Sequence, residues 1–148
     1  MITIEHVNDV NAIKSILKAD YDTVIYDGCP SFEDFEPDME NSLWFILYKN
    51  GYTSGLIKLE NLNWTTWIPH IIIKPEYRGS GSEQWGRMVV QYMKERIPEV
   101  TFLVMSPYEA AKEYALRMGF QLIGVLPKSI KKNGELMDQY ILGGEIQL

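Results

Sequence analysis

The chain is short of the residues that most often build metal and redox sites: it has one cysteine, Cys29, and two histidines, His6 and His70. A lone cysteine can close no internal disulfide and complete no zinc cluster, so no metal centre is expected. Without an evident histidine partner, Cys29 reads as an inert loop residue rather than a nucleophile. Cations are scarce as well: 14 Lys and Arg stand against 20 Asp and Glu, a net charge of −6. That balance argues against a nucleic-acid partner, because neutralising phosphates needs a basic face. No apolar run is long enough to span a bilayer, and no basic-plus-apolar signal segment opens the chain. No membrane association is therefore expected, and the expected location is the cytoplasm. Internal repeats and low-complexity tracts are also missing.

What is present suits one globular domain over residues 1–148, since 148 residues with 46% hydrophobic content can fill a core. Ile2 and Ile4 alternate as a first strand. Asn8 or Asp9 can cap a helix carrying Val10, Ile13 and Leu17 on one face. An acidic, aromatic stretch from about 21 to 41 predicts one short helix near Ser31. Leu43 to Lys49 and Tyr52 to Leu59 flank Asn50-Gly51, a strong hairpin signal. Thr65 to Ile73 and Val100 to Met105 read as further strands. Trp85, Met88, Val89, Tyr92, Met93 and Ile97 share a face of a helix between them. The next helix is predicted to open with Ser106 as cap, Pro107 in its first turn and Glu109 completing a capping box, and to stop at Gly119. Phe120 to Val125 and Leu136 to Leu142 close the pattern, joined through an Asn133-Gly134 turn. Alternation of this kind predicts an α/β class, a mixed and mostly antiparallel sheet flanked by helices.

The segment Pro75-Glu76-Tyr77-Arg78-Gly79-Ser80-Gly81-Ser82 joins the apolar run His70-Ile71-Ile72-Ile73 to a helix. Strand, glycine-rich turn and helix together offer backbone N–H groups and a helix N-terminus to a phosphate. The glycines permit close approach and Arg78 adds a cation, which suggests a pyrophosphate-binding turn. The bland alternative stays open: Ser80 with Glu83 three residues later is also a capping box that needs no ligand. The pattern is neither G-x-x-x-x-G-K-[ST] nor G-x-G-x-x-G, so a nucleotide triphosphatase or a dehydrogenase is not indicated.

Ile73-Lys74-Pro75-Glu76-Tyr77-Arg78-Gly79-Ser80-Gly81 resembles motif A of the GNAT superfamily of N-acetyltransferases. Ala110-Ala111 through Arg117-Met118-Gly119-Phe120 resembles motif B, and Asp138-Gln139-Tyr140-Ile141-Leu142 resembles the closing strand. The likeness covers about residues 43 to 142. It implies a GNAT-like fold, acetyl-CoA as co-substrate, and a cofactor site at Ile71, Ile72, Ile73, Arg78, Gly79, Ser80, Gly81, Ser82 and Glu83. The chain departs from the pattern in four places. Glu83 stands where the family has a second Gly or Ala, and Trp67 stands where many members carry a glutamate. Ala115 replaces a tyrosine that protonates the leaving thiolate, and Tyr108 replaces an asparagine.

Acetyl transfer from a thioester needs a neutral amine, donors for the developing oxyanion, and a proton for the thiolate. The resemblance places the oxyanion donors in the main chain near Ile72 and Ile73. His70 is the leading base, directly or through water, because its ordinary pKa of about 6.5 suits proton removal at neutral pH; the alternative is a structural histidine beside Pro69. Tyr114 and Tyr108 are the named candidates for the thiolate acid, with Tyr140 behind them, and the alternative for each is plain packing.

No Lys or Arg lies between Lys18 and Lys49, whereas Asp20, Asp22, Asp27, Glu33, Asp34, Glu36, Asp38 and Glu40 all do. Such a stretch would attract a cationic amine, with Glu33, Asp34 and Glu36 as the substrate-binding candidates; a solvated acidic face is the alternative. The expected partner is thus a small-molecule or protein amine, and since many GNAT proteins dimerise, a homodimer is expected too. A second functional class remains. A catalytically silent GNAT-like domain could bind a ligand or a protein, for example as a phage structural or host-interaction module, which compact phage-encoded relatives of this kind suggest.

Overall fold

The computed structural model describes residues 1–79 and 81–146. Twelve elements follow in order. Strand β1 (Ile2–Val7) leads to helices α1 (Val10–Leu17) and α2 (Tyr21–Val24). Strands β2 (Ser42–Lys49), β3 (Tyr52–Asn61) and β4 (Thr66–Ile73) follow, and β4 runs through a 3₁₀ turn (Pro75–Tyr77) into α3 (Glu83–Arg96). Strand β5 (Thr101–Ser106), helix α4 (Glu109–Met118), and strands β6 (Gln121–Lys132) and β7 (Glu135–Gly144) complete the chain. One seven-stranded sheet has the order β1-β2-β3-β4-β5-β7-β6, antiparallel except for β4 beside β5.

Local chemistry sets the boundaries. Asp9 caps α1 by accepting the N–H groups of Asn11 and Ala12, and Ile13 and Leu17 bury its inner face. Asn50 (φ 51) and Gly51 (φ 82) make the tight left-handed turn that the β2–β3 hairpin needs, and Asn133 (φ 52) with Gly134 (φ 80) repeat it between β6 and β7. Gly119 takes φ 104 and ends α4, where the N–H of Phe120 reaches back to the Ala115 carbonyl at 3.1 Å.

Four sequence expectations are corrected. The short helix lies at Tyr21–Val24, while residues 31–34 form only a turn, closed by the N–H of Asp34 on the Ser31 carbonyl. Helix α3 starts at Glu83 after Ser82, whose side chain makes no cap bond; Ser80 lies outside the described residues. Helix α4 starts at Glu109, two residues past the expected first position; the Ser106 hydroxyl still accepts from the Tyr108 N–H, a cap-type bond placed ahead of the helix. On α3, Val90 is buried and Met88 is partly exposed, so the inner face is rotated slightly from the expected one.

The sheet divides two cores. Alternate residues such as Phe45, Leu47, Ile57, Leu59, Ile73 and Leu142 meet α3 and α4 through Trp85, Val89, Met93, Ala115 and Met118. On the other face, Trp44, Ile46 and Leu56 meet Ile13 and Leu17 of α1, with Phe32, Phe35 and Met39 packed on top. The period-2 alternation of strand side chains assigns each β4 residue to a face: Ile71 and Ile73 turn toward α3 and α4, and Ile72 toward α1.

Candidate functional site

Strands β4 and β5 touch only at their starts, where Thr66 lies beside Thr101 and Trp67 beside Phe102. Beyond that point β4 follows β3 through Ile68 to Ile73, while β5 follows β7 through Leu103 to Ser106. The sheet therefore opens between them, leaving main-chain groups of both strands facing a slot. The slot's open end leads straight into the glycine turn.

At that turn Gly79 has φ 112 and Gly81 φ 90, conformations that side-chain-bearing residues avoid. A Cβ at Gly79 would meet nothing within 4 Å, so an anion's oxygen atoms can come close to the main chain there. Arg78 is exposed, and its Nε donates to the Ile73 carbonyl at 2.7 Å, which fixes the guanidinium across the end of β4. Among the described residues no carboxylate pairs with it. Glu83, which stands where the family has a Gly or Ala, is turned toward α4. Its carboxylate sits 3.6 Å from Arg117 Nε of α4 and folds back on its own N–H, which together hold its pKa below the usual carboxylate value against the effect of burial.

The cradle is narrower than the sequence suggested. The N–H groups of Ser82, Gln84 and Trp85 donate to the Gly79, Gly81 and Ser82 carbonyls at 3.1, 3.1 and 3.3 Å. Ser82 itself is buried. Of the turn residues described, Arg78 and Gly79 are exposed and Gly81 is half-buried, so these three leave a cation and open main chain at the surface of the turn.

His70 projects from β4 on the same face as Ile72, opposite Lys58 of β3. Its Nε2 lies 3.6 Å from Glu60 Oε2, and its side chain is 49% exposed in a dent between these neighbours. Burial, with the Lys58 ammonium, pushes its pKa below 6.5, and Glu60 pulls the other way. That direction favours the neutral imidazole, the form a proton acceptor needs. The acidic segment lies over this same face: Phe32, Phe35 and Met39 pack with Ile72, and the Lys58 charge is felt at Asp38.

The three tyrosines lie apart from His70. Tyr114 is on α4, in the opposite layer, and its hydroxyl donates to the Ser82 carbonyl at 3.0 Å. Burial raises its pKa to about 12. It ties α4 to the start of α3. Tyr108 stands at the start of α4 and stacks on Tyr26, with ring centroids 6.4 Å apart and planes 20° from parallel. Tyr140 donates to Glu109 Oε2 at 2.7 Å, and Lys112 binds the other oxygen of that carboxylate at 2.6 Å. Ala115 is 3% exposed within the core.

The acids of the 20–40 stretch fall into two groups. Asp38 accepts the Glu40 and Asn41 N–H groups at 3.0 Å each, and Asp27 accepts those of Asn133 and Gly134 at 2.9 Å each. Glu33, Asp34 and Glu36 stay exposed; Asp34 takes the Ser31 hydroxyl at 3.2 Å, and Glu36 lies 3.9 Å from Lys14. The interleaved aromatics hold the segment down, with Tyr21 5.5 Å from Phe32 and 5.1 Å from Phe35 between ring centroids. Residues that sequence reasoning did not select, namely Lys58, Glu60, Arg117 and Asp27, act through partners far away in the chain. Only the turn at Asn133-Gly134, with two N–H groups to satisfy, hinted at one of them.

No protein-family model matches the chain, and no curated protein matches it in sequence. Solved structures match it over nearly its whole length. Mutant forms of the spermidine/spermine N-acetyltransferase SpeG from Vibrio cholerae superpose with TM-score 0.79 at 18% identity, covering 97% of this chain and 92% of that one. An N-acetyltransferase from Staphylococcus aureus Mu50 gives 0.77 at 17% identity, covering 98% and 97%. A dodecameric structure of spermidine N-acetyltransferase from Vibrio cholerae gives 0.74 at 18%, covering 97% and 92%. The chain has the GNAT fold of these N-acetyltransferases.

Proposed function

We propose that this chain, acting as one domain, is an N-acetyltransferase that takes the acetyl group of acetyl-CoA to a primary amine of a cationic, polyamine-like molecule. The opening of β4 from β5 beyond Trp67 and Phe102, running directly into the Arg78 turn, is the observation that carries this reading. Two structural neighbours are named as polyamine acetyltransferases, which supports the acceptor class.

Acetyl-CoA, when bound, supplies an acyl group already activated as a thioester. The chain's own work is to bind, orient and deprotonate. Arg78 faces the phosphates, and Gly79 and Gly81 allow the main chain to approach them. The open edge of β4 near Ile72 and Ile73 offers oxyanion donors. On the α1 face, His70 accepts the proton of the ammonium directly or through water. Glu33, Asp34 and Glu36 lie on the segment packed over that face and raise the local concentration of a cation. Because a neighbour of the same fold is dodecameric, self-association belongs to the same proposal.

Two observations favour a silent binding domain instead. Ala115 fills core volume where a thiolate acid would stand, and Tyr114 has its proton engaged by Ser82. Calorimetric titration with acetyl-CoA, followed by a thiol-release assay with spermidine, separates the two. Micromolar binding with amine-dependent thiol release supports the enzyme. Binding without release for any of a panel of amines supports the silent domain, and no binding at millimolar acetyl-CoA ends both cofactor-based readings.

A further inference from the structure

An exposed carboxylate ordinarily contributes little to a fold, because water and salt screen it. Asp27 is exposed, yet both its carboxylate oxygens and its backbone N–H are committed to a segment more than a hundred residues away. Its two carboxylate oxygens accept the N–H groups of Asn133 and Gly134 at 2.9 Å each, and its own N–H donates to the Lys131 carbonyl at 2.9 Å. The left-handed turn at Asn133 and Gly134 is what aims two successive N–H groups at one anion. Those two bonds hold the Asp27 pKa below the usual carboxylate value.

The next residues extend the clasp toward the slot. Lys132 Nζ donates to the Thr23 carbonyl, and the same ammonium lies 5.6 Å from the Tyr26 ring centroid and 5.9 Å from that of Tyr108. Tyr26 stacks on Tyr108, and Tyr108 follows the end of β5, one wall of the slot. The hairpin held at its tip by Asp27 also forms a wall of a cavity of about 510 Å³ lined by Pro107, Val125, Leu136, Met137, Asp138 and Tyr140.

The acidic segment needs such a tether. From Ile25 to Asn41 it has no helix or strand of its own, and an irregular run of this length is uncommon in a compact domain. Tyr21 fixes its beginning and Asp38 its end, the latter through the Trp44 indole on the Asp38 carbonyl at 2.9 Å. The residues around Asp27, ahead of Pro30, are secured by the β6–β7 turn.

We infer that Asp27 is a positioning residue for the acceptor side of the site: it clasps the acidic segment, which carries Glu33, Asp34 and Glu36, to the β6–β7 turn. This rests on the acetyltransferase reading above. Asp27 touches no reacting atom in it; the effect runs through the acidic segment it holds.

The test uses the full chain as wild type, Asp27→Ala and Asp27→Asn, the last keeping one acceptor oxygen. Hydrogen exchange at Asn133 and Gly134 and steady-state kinetics with spermidine are read on each. The expected result is exchange about 10-fold faster in the alanine variant, with KM for the amine raised about 10-fold and kcat and acetyl-CoA affinity within about threefold. The asparagine variant is expected to fall between, and it decides the matter if the alanine variant does not fold. Unchanged exchange overturns the clasp. Faster exchange with an unmoved amine KM overturns the positioning role, with the wild type active as the control. A wild type that acetylates no amine overturns the acetyltransferase reading itself and this role with it, leaving Asp27 a structural tether.

Discussion

Arg78 Nε donates to the carbonyl oxygen of Ile73 at 2.7 Å, so the last residue of β4 and the first cation of the glycine turn are locked together. The bond uses the inner nitrogen and leaves the guanidinium's outer edge to solvent. A lysine could not do both, having no planar fork.

Replacing Arg78 by alanine is expected to weaken acetyl-CoA binding by roughly 10- to 100-fold, the range for losing a charge-assisted hydrogen bond. Titration calorimetry reads this directly. Equal affinities in the two proteins would remove the phosphate role from this turn.

The acid limb of the pH–rate profile is expected below pH 6.5, because burial and Lys58 oppose protonation of His70. Lys58→Ala is expected to move the limb upward, and His70→Gln to lower kcat/KM by about 100-fold or more. A limb that stays in place in His70→Gln would assign the base elsewhere. The stability sign follows from the same shift. A histidine with a lowered folded pKa binds its proton less readily folded than unfolded, so its contribution is full above about 6.5 and is lost as pH falls through the folded value. Thermal melts of wild type and His70→Gln should therefore diverge on the acid side of 6.5 and run parallel above it.

Tyr114→Phe separates packing from chemistry. Loss of the bond to the Ser82 carbonyl is expected to cost about 1 kcal/mol of stability, with kcat unchanged. A large fall in kcat with little loss of stability would make Tyr114 the thiolate acid after all.

Gly55 lies on β3 beside Ile73, on the edge of β4 opposite the slot. A Cβ there would fall 2.1 Å from the Ile72 carbonyl oxygen, a backbone atom that cannot step aside. Gly55→Ala is expected to destabilise by about 1–3 kcal/mol and to disturb the opening between β4 and β5. Denaturant unfolding measures the first effect and acetyl-CoA affinity the second.

Much of the fold was legible because its signals are local. Asp9 as a cap, Asn50-Gly51 and Asn133-Gly134 as turns, and Gly119 as a stop each depend on a few adjacent residues, and all stand where the sequence put them. Caps were less legible where two hydroxyls compete: Ser106 and the residues before Glu83 could each start a helix at more than one position, and tertiary contacts chose. The phosphate turn was legible as a turn, but which of its N–H groups remain free was not, since Ser82, Gln84 and Trp85 use theirs internally.

The sequence by itself determined the order of strands and helices, the glycine turn with Arg78, and the cation-free acidic stretch, because periodicity, turn chemistry and charge are written residue by residue. Only the tertiary structure decided that Glu83 turns to Arg117, that Tyr114 serves Ser82, that His70 shares its face with the acidic segment, and that Asp27 clasps the far hairpin. Each of those outcomes depends on which strand lies beside which and on the face a side chain takes. Pairing across the sheet sets both, and no local pattern encodes it.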